Sequence, residues 1–370
     1  RLFAHVLGYT GVDNHGLAGL ERAFDKRLPE RDGQPLRLSL DTRLQHIMRR
    51  ELKRSVKRFE ARGGAGVIMN VNTGAVLSAV SLPDYDPHHP VRAAGDAGFN
   101  RVTQGVYEMG STFKIFSTAA ILEAGKAAMS REFDASEPLE HGQFTINDYH
   151  GKGRKLSLPE VFMYSSNIGA ARIGERIGSA FMQKFYTDLG LLDRPGIALP
   201  AVGEPLYPAP WREINTLTAA YGHGVAVSPL QLTSAVASVV NGGLAVEPYL
   251  IADKTKQSET RARVRVMSEQ TSKQMRCLLR LVVRKGTGEK AAVKQYQIGG
   301  KTGTAEKAGK QGYTNAELIS SFVGVFPVDD PKYAVFIMVD EPQGQDFSAG
   351  YATGGWVAAP AVRRVVAAMG

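Results

Sequence analysis

The chain has 370 residues, 43% of them hydrophobic, which excludes a disordered protein and allows one large domain or two smaller ones. Lys and Arg number 45 against 36 Asp and Glu, a formal charge of +9 that favours anionic polymers or membrane surfaces and permits nucleic acid on charge alone. The single cysteine, Cys277, excludes an internal disulfide, and no Cys-x-x-Cys or helical His-x-x-x-His pairing supports a metal site.

In chain order, Leu2–Leu7 reads as strand-like, and residues 1–35 are too few for a core of their own. The chain starts at Arg1 without a Met, as expected of a cut through a longer protein whose missing domain ends in residues 1–35. No apolar run approaches the roughly 18 residues needed to span a bilayer. Leu40, Leu44, Ile47, Leu52, Val56 and Phe59 recur near helical spacing among Arg49, Arg50, Lys53, Arg54, Lys57, Arg58 and Arg62. An amphipathic surface helix is expected there, its basic side solvated rather than docked on membrane or cell wall.

A hairpin follows, Gly66–Val71 and Ala75–Val80, turning through Asn72-Thr73-Gly74. From Ser111 the pattern becomes helical to about Gly125, and further helices are expected around 157–178 and 228–241. Residues 252–265 are polar and read as a loop, as does Lys285-Gly286-Thr287-Gly288. Strand signals return from Tyr296 to Thr302, in Leu318–Phe326 and in Tyr333–Val339, with Glu306 to Asn315 as a Gly- and Lys-rich loop beside the groove. A closing helix is expected over Val357–Ala368. Strands at both ends with helices between predict an α+β domain over 36–370, built on one mostly antiparallel sheet.

Three short motifs bear the chemistry. Ser111 and Lys114 form the one Ser-x-x-Lys in the chain. A serine hydroxyl is a weak nucleophile and needs a base within hydrogen-bond reach. A spacing of three places both side chains on one helical face, and a desolvated Lys114 at the positive end of the helix dipole would lose its proton. Taken alone the pair is weak, since a helix-start serine is as readily a cap.

Ser165-Ser166-Asn167 supplies a hydroxyl for proton relay at Ser165 and an amide at Asn167 that can hold a peptide, although a polar cap or turn explains the tripeptide equally well by itself. Lys301-Thr302-Gly303-Thr304 lies on a predicted strand, with Lys301 on one face and Thr302 and Thr304 on the other. Gly303 permits close backbone approach, so a peptide can lie along the strand with its terminal carboxylate at Thr302 and Thr304 in the field of Lys301. Backbone N–H groups of Ser111 and Thr304 are the candidate oxyanion hole.

The ordered set resembles the penicillin-binding protein transpeptidases. Phe99-Asn100-Arg101, Tyr107–Ser111, Tyr221-Gly222-His223-Gly224, Ser228–Leu232, Gly299–Lys307 and Phe322–Pro327 resemble the class B, cell-division branch, with Met109 where members commonly have Pro. The resemblance implies a five-stranded antiparallel sheet flanked by helices with an all-helical subdomain, as in serine β-lactamases, and makes residues 1–35 the end of a non-catalytic pedestal. It implies D,D-transpeptidation of peptidoglycan stem peptides ending in D-Ala-D-Ala through a Ser111 acyl-enzyme, without cofactor or nucleic acid, and acylation by β-lactams. It further implies partnership with a septal glycosyltransferase and divisome proteins, and a single-pass anchor in the bacterial inner membrane with the enzyme in the periplasm. The rivals are the elongation-specific class B transpeptidase, a penicillin-recognising sensor, and a β-lactamase, for which Glu204 and Glu213 are the carboxylates in a plausible stretch.

Overall fold

The computed structural model describes residues 1–28, 33–89, 95–252, 264–309 and 312–370. Its centre is a five-stranded sheet of β1 (Gly63–Asn70), β2 (Val76–Leu82), β3 (Gly299–Gly309), β4 (Gly312–Phe326) and β5 (Tyr333–Asp340), in the order β2-β1-β5-β4-β3. All neighbours are antiparallel, with Gly66 opposite Val80 and Ile337, and Ser320 opposite Thr304 and Val339. The first and last thirds of the chain thus meet in the middle of the sheet, and β3 forms one edge.

Strand alternation divides the core in two. Val67, Met69, Phe336, Met338 and Val323 point to one face, under α2 (Lys114–Glu123) and α5 (Pro229–Val240). Ile68, Val80, Ile337 and Phe322 point to the other, under α1 (Thr42–Arg58) and α8 (Ala359–Met369). Burial on both faces explains why these strands read as continuous apolar runs.

Helix α1 is the expected amphipathic element. Asp41 caps it by accepting the Leu44 N–H at 2.9 Å, Leu44, Ile47, Met48 and Leu52 are buried, and most of its basic side chains face outward. Helix α5 is buried all round and starts on a Ser228/Gln231 capping box with Pro229 at its first position. A third long helix, α6 (Glu269–Lys285), packs beside β3.

Several expectations need correction. Leu2–Leu7 is not a strand: Ala4–Leu7 forms a helical turn, with the Tyr85 hydroxyl donating to Ala4 O at 2.8 Å. A short apolar run does not distinguish the two states. Of the expected loop 306–315, residues 306–309 and 312–315 are strand, with Gly309 opposite Gly312 and Ala308 opposite Tyr313, because β3 and β4 extend past the apolar part of the sheet; 310–311 lie outside the described residues. The strand expected from Tyr296 begins at Gly299. The stretch 157–178 is two helices, α3 (Leu158–Tyr164) and α4 (Asn167–Ile177), and the closing helix divides into α7 (Gly354–Val357) and α8. The polar segment 252–265 lies mostly outside the described residues. Among the described residues no helix is long and apolar enough to cross a membrane.

Candidate active site

Ser111 sits in a 3₁₀ turn, Gly110–Phe113, that leads directly into α2. Gly110 has φ +52°, and a side chain there would place Cβ 2.4 Å from Thr304 O. A Cβ at Gly303 would lie 2.5 Å from Met109 O and 2.4 Å from Ser321 Oγ. The glycine expected to admit a foreign backbone therefore admits the chain's own nucleophile turn. The backbone of Met109-Gly110, just before Ser111, thus packs directly on that of Gly303-Thr304 in the edge strand.

Helix α3 opens on a Ser157/Glu160 capping box and ends at Ser165 in the left-handed conformation, φ 63°. Ser166 then caps α4, accepting the Gly169 N–H at 2.9 Å. The Ser-Ser-Asn motif is thus the sharp junction of two helices, and the left-handed residue directs both its carbonyl and its hydroxyl at one lysine. Lys114 Nζ lies 2.7 Å from Ser165 O, 3.2 Å from Ser165 Oγ, 2.7 Å from Asn167 Oδ1 and 2.9 Å from Ser111 Oγ. Lys301 Nζ lies 2.8 Å from Ser165 Oγ on the other side. One chain of contacts connects Ser111, Lys114, Ser165 and Lys301.

Both lysines are buried, at 1% and 0% exposure. Burial, reinforced by the charge of Lys301, holds Lys114 well below the ordinary lysine range, with the Asp148 carboxylate opposing the shift. Burial pushes Lys301 down to about 7. The contacts of Lys114 also accommodate a neutral amine. Ser165 O and Asn167 Oδ1 can only accept from an amine, so they use two hydrogens. A neutral amine has no third, and its lone pair is left for the Ser111 hydroxyl. Oδ1 of Asn167 is thereby engaged with the lysine, and its Nδ2 donates to Asn147 O at 3.1 Å.

Above the lysines runs a cleft of about 790 Å³ lined by Ser111, Ser165, Asn167, Thr302 and Thr304. The Thr302 hydroxyl lies 2.7 Å from that of Thr287, and Thr304 Oγ1 accepts the Gly354 N–H at 3.1 Å. With Thr287 as donor, both β3 threonines have an acceptor site filled from behind and a hydrogen left for the cleft. Thr287 belongs to Lys285-Gly286-Thr287-Gly288, of which Lys285 ends α6 and the other three residues form the expected loop, and Thr287 itself lines the cleft. Its signal in the sequence was indistinguishable from a turn. His223 lines the same cleft, pushed down to about 4 by burial and then by the charge of Lys114. Glu204 is exposed and paired with Arg194, and neither it nor Glu213 lines the cleft.

A serine hydroxyl within hydrogen-bond reach of a buried amine, on a turn set against the edge of an antiparallel sheet, is an arrangement suited to attack on a carbonyl. Residues 64–367 match the family described as penicillin binding protein transpeptidase domain, and the chain belongs to it. It is 40% identical over 375 residues to the probable peptidoglycan D,D-transpeptidase FtsI of Caulobacter vibrioides, covering 98% of this chain and 63% of that protein. Stage V sporulation protein D of Bacillus subtilis is 35% identical over 404 residues, with 98% and 62% covered. Penicillin binding protein 3 from Mycobacterium tuberculosis, solved in complex with aztreonam, superposes with a TM-score of 0.87 at 25% identity, over 100% of this chain and 88% of that one. The chain spans about three-fifths of the length of these two curated relatives.

Proposed function

We propose that this domain is the catalytic part of a peptidoglycan D,D-transpeptidase of the cell-division type, working through an acyl-enzyme on Ser111. The observation that supports it most is the 2.9 Å contact between Ser111 Oγ and a buried Lys114 whose two hydrogens have acceptor-only partners. Stem peptide ending in D-Ala-D-Ala lies along β3, its carboxylate at Thr302 and Thr304 beneath the field of Lys301.

Ser111 Oγ attacks the penultimate carbonyl carbon while its proton passes to Lys114 Nζ. The carbonyl oxygen becomes the oxyanion between the N–H groups of Ser111 and Thr304. On collapse the C–N bond breaks, and the departing D-Ala nitrogen receives a proton through the Ser165 hydroxyl, which touches both lysines. An amine from a neighbouring strand then attacks the acyl-enzyme by the reverse proton path and forms the cross-link. A β-lactam follows the first half, but its amine stays tethered and blocks the second.

The wording of the motifs supports the septal branch, with a septal glycosyltransferase and divisome proteins as partners and a membrane anchor preceding the chain in the whole protein. Residues 1–35 belong to the pedestal in this reading, and 36–370 to the transpeptidase domain. In the test, purified protein is labelled with fluorescent penicillin and the adduct is chased with unlabelled drug. A label that persists for many minutes is expected; loss within seconds would make the protein a β-lactamase instead.

A further inference from the structure

Asp148 has no place in the three motifs, yet its carboxylate is fully engaged with one of them. Oδ2 accepts from the Ser166 hydroxyl at 2.7 Å, and Oδ1 accepts from the Ile168 N–H at 3.0 Å and from the Asn167 N–H. The preceding residue, Asn147, accepts from Asn167 Nδ2 at 3.1 Å. A carboxylate at the first turn of α4 meets unsatisfied N–H groups and the positive end of the helix, so it sets where that helix begins. Because Asn167 is the first residue of α4, this fixes both its backbone and its side chain, and Asn167 Oδ1 holds Lys114 at 2.7 Å.

We infer that Asp148 is a positioning residue for acylation: by anchoring the α3–α4 junction it keeps Ser165 O and Asn167 Oδ1 on Lys114 Nζ. The inference rests on the proposed acylation chemistry. Three ionisable groups bear on Lys114: Lys301 from β3, Asp148 from the segment before α3, and His223 from the loop before α5. Lys301 opposes a charge on Lys114 and Asp148 favours one, while His223, buried and in contact range of Glu108, stays neutral above about pH 4. Removing the Asp148 charge while keeping an acceptor leaves the amine easier to deprotonate. The acidic limb of the acylation profile then moves to lower pH.

The experiment measures the second-order acylation rate by a penicillin from pH 5 to 9 for the wild-type protein, Asp148→Asn and Asp148→Glu, with thermal unfolding as a check on folding. Asp148→Asn is expected to lower the plateau about tenfold and to shift the acidic limb downward. Asp148→Glu, which keeps the charge with poorer reach, is expected to lower the plateau and leave the limb in place. A lower plateau in Asp148→Asn with an unmoved limb would reduce Asp148 to a structural cap and overturn the inference, as would wild-type behaviour in both variants. Should Asp148→Asn fail to fold, Asp148→Ser, which also removes the charge and keeps an acceptor, takes its place: a limb moved to lower pH supports the inference and an unmoved limb overturns it. If the wild-type protein itself is not acylated, the proposed function fails instead, so the two failures are distinguishable.

Discussion

The chemistry of this site is set by which partners leave an atom free. Lys114 has two acceptor-only neighbours, Ser165 O and Asn167 Oδ1, and two hydroxyls, those of Ser111 and Ser165, and it is burial that favours its neutral form, whose lone pair can face Ser111. Thr302 is the second case: its hydroxyl lies 2.7 Å from that of Thr287, and with Thr287 as the donor the Thr302 hydrogen is left for the cleft. Thr287→Val removes that donor at nearly constant volume. One lost hydrogen bond of about 1 kcal/mol corresponds to roughly a fivefold weakening. Initial binding of carboxylate-bearing β-lactams, measured by saturation of the acylation rate, should weaken by that factor, with the limiting rate little changed and Thr287→Ser close to wild type. An unchanged saturation constant would detach Thr287 from substrate recognition.

At the scale of elements, the site depends on a loop-free contact between the turn before α2 and strand β3. Gly303→Ala would insert a Cβ 2.5 Å from Met109 O. Overpacking of this kind costs about 1–3 kcal/mol, and here the strain falls between the turn that holds Ser111 and strand β3, the proposed nucleophile and oxyanion donor. Acylation of the folded variant should fall at least tenfold, measured by labelling at a fixed penicillin concentration; a rate near wild type would mean that the turn and strand move apart without consequence. The sequence made much of this legible. Ser-x-x-Lys spacing, strand alternation through Lys301 to Thr304 and the Gly74 turn, at φ +81°, each follow from local geometry. Thr287 and Asp148 were not legible, since both act through contacts with residues 15 and 18 or more positions away, and nothing local separates them from an ordinary turn and an ordinary cap. The extension of β3 and β4 into 306–309 and 312–315 was missed for a different reason. Pairing there is backbone to backbone, and Gly and Lys carry no strand signal of their own.

At the scale of the whole molecule, a partly buried ionic network ties the segment before Ser111 to the sheet. Arg101, 1% exposed, reaches Asp340 at the end of β5 at 3.1 Å and Asp96 at 2.7 Å, while Lys307 from β3 reaches Asp340 at 3.1 Å. Such a network specifies position more than it adds stability, and here it relates the edge strand to the chain entering the turn at Ser111. The central claim is that one serine, activated by one neutral lysine, is the point of covalent attachment. Mass spectrometry of the benzylpenicillin-treated protein after trypsin tests this most directly. The account predicts one adduct per chain, on Ser111 within the peptide Val102–Lys114, and near-complete loss of the adduct in both Ser111→Ala and folded Lys114→Ala. An adduct on another residue, or undiminished labelling of either variant, would contradict it.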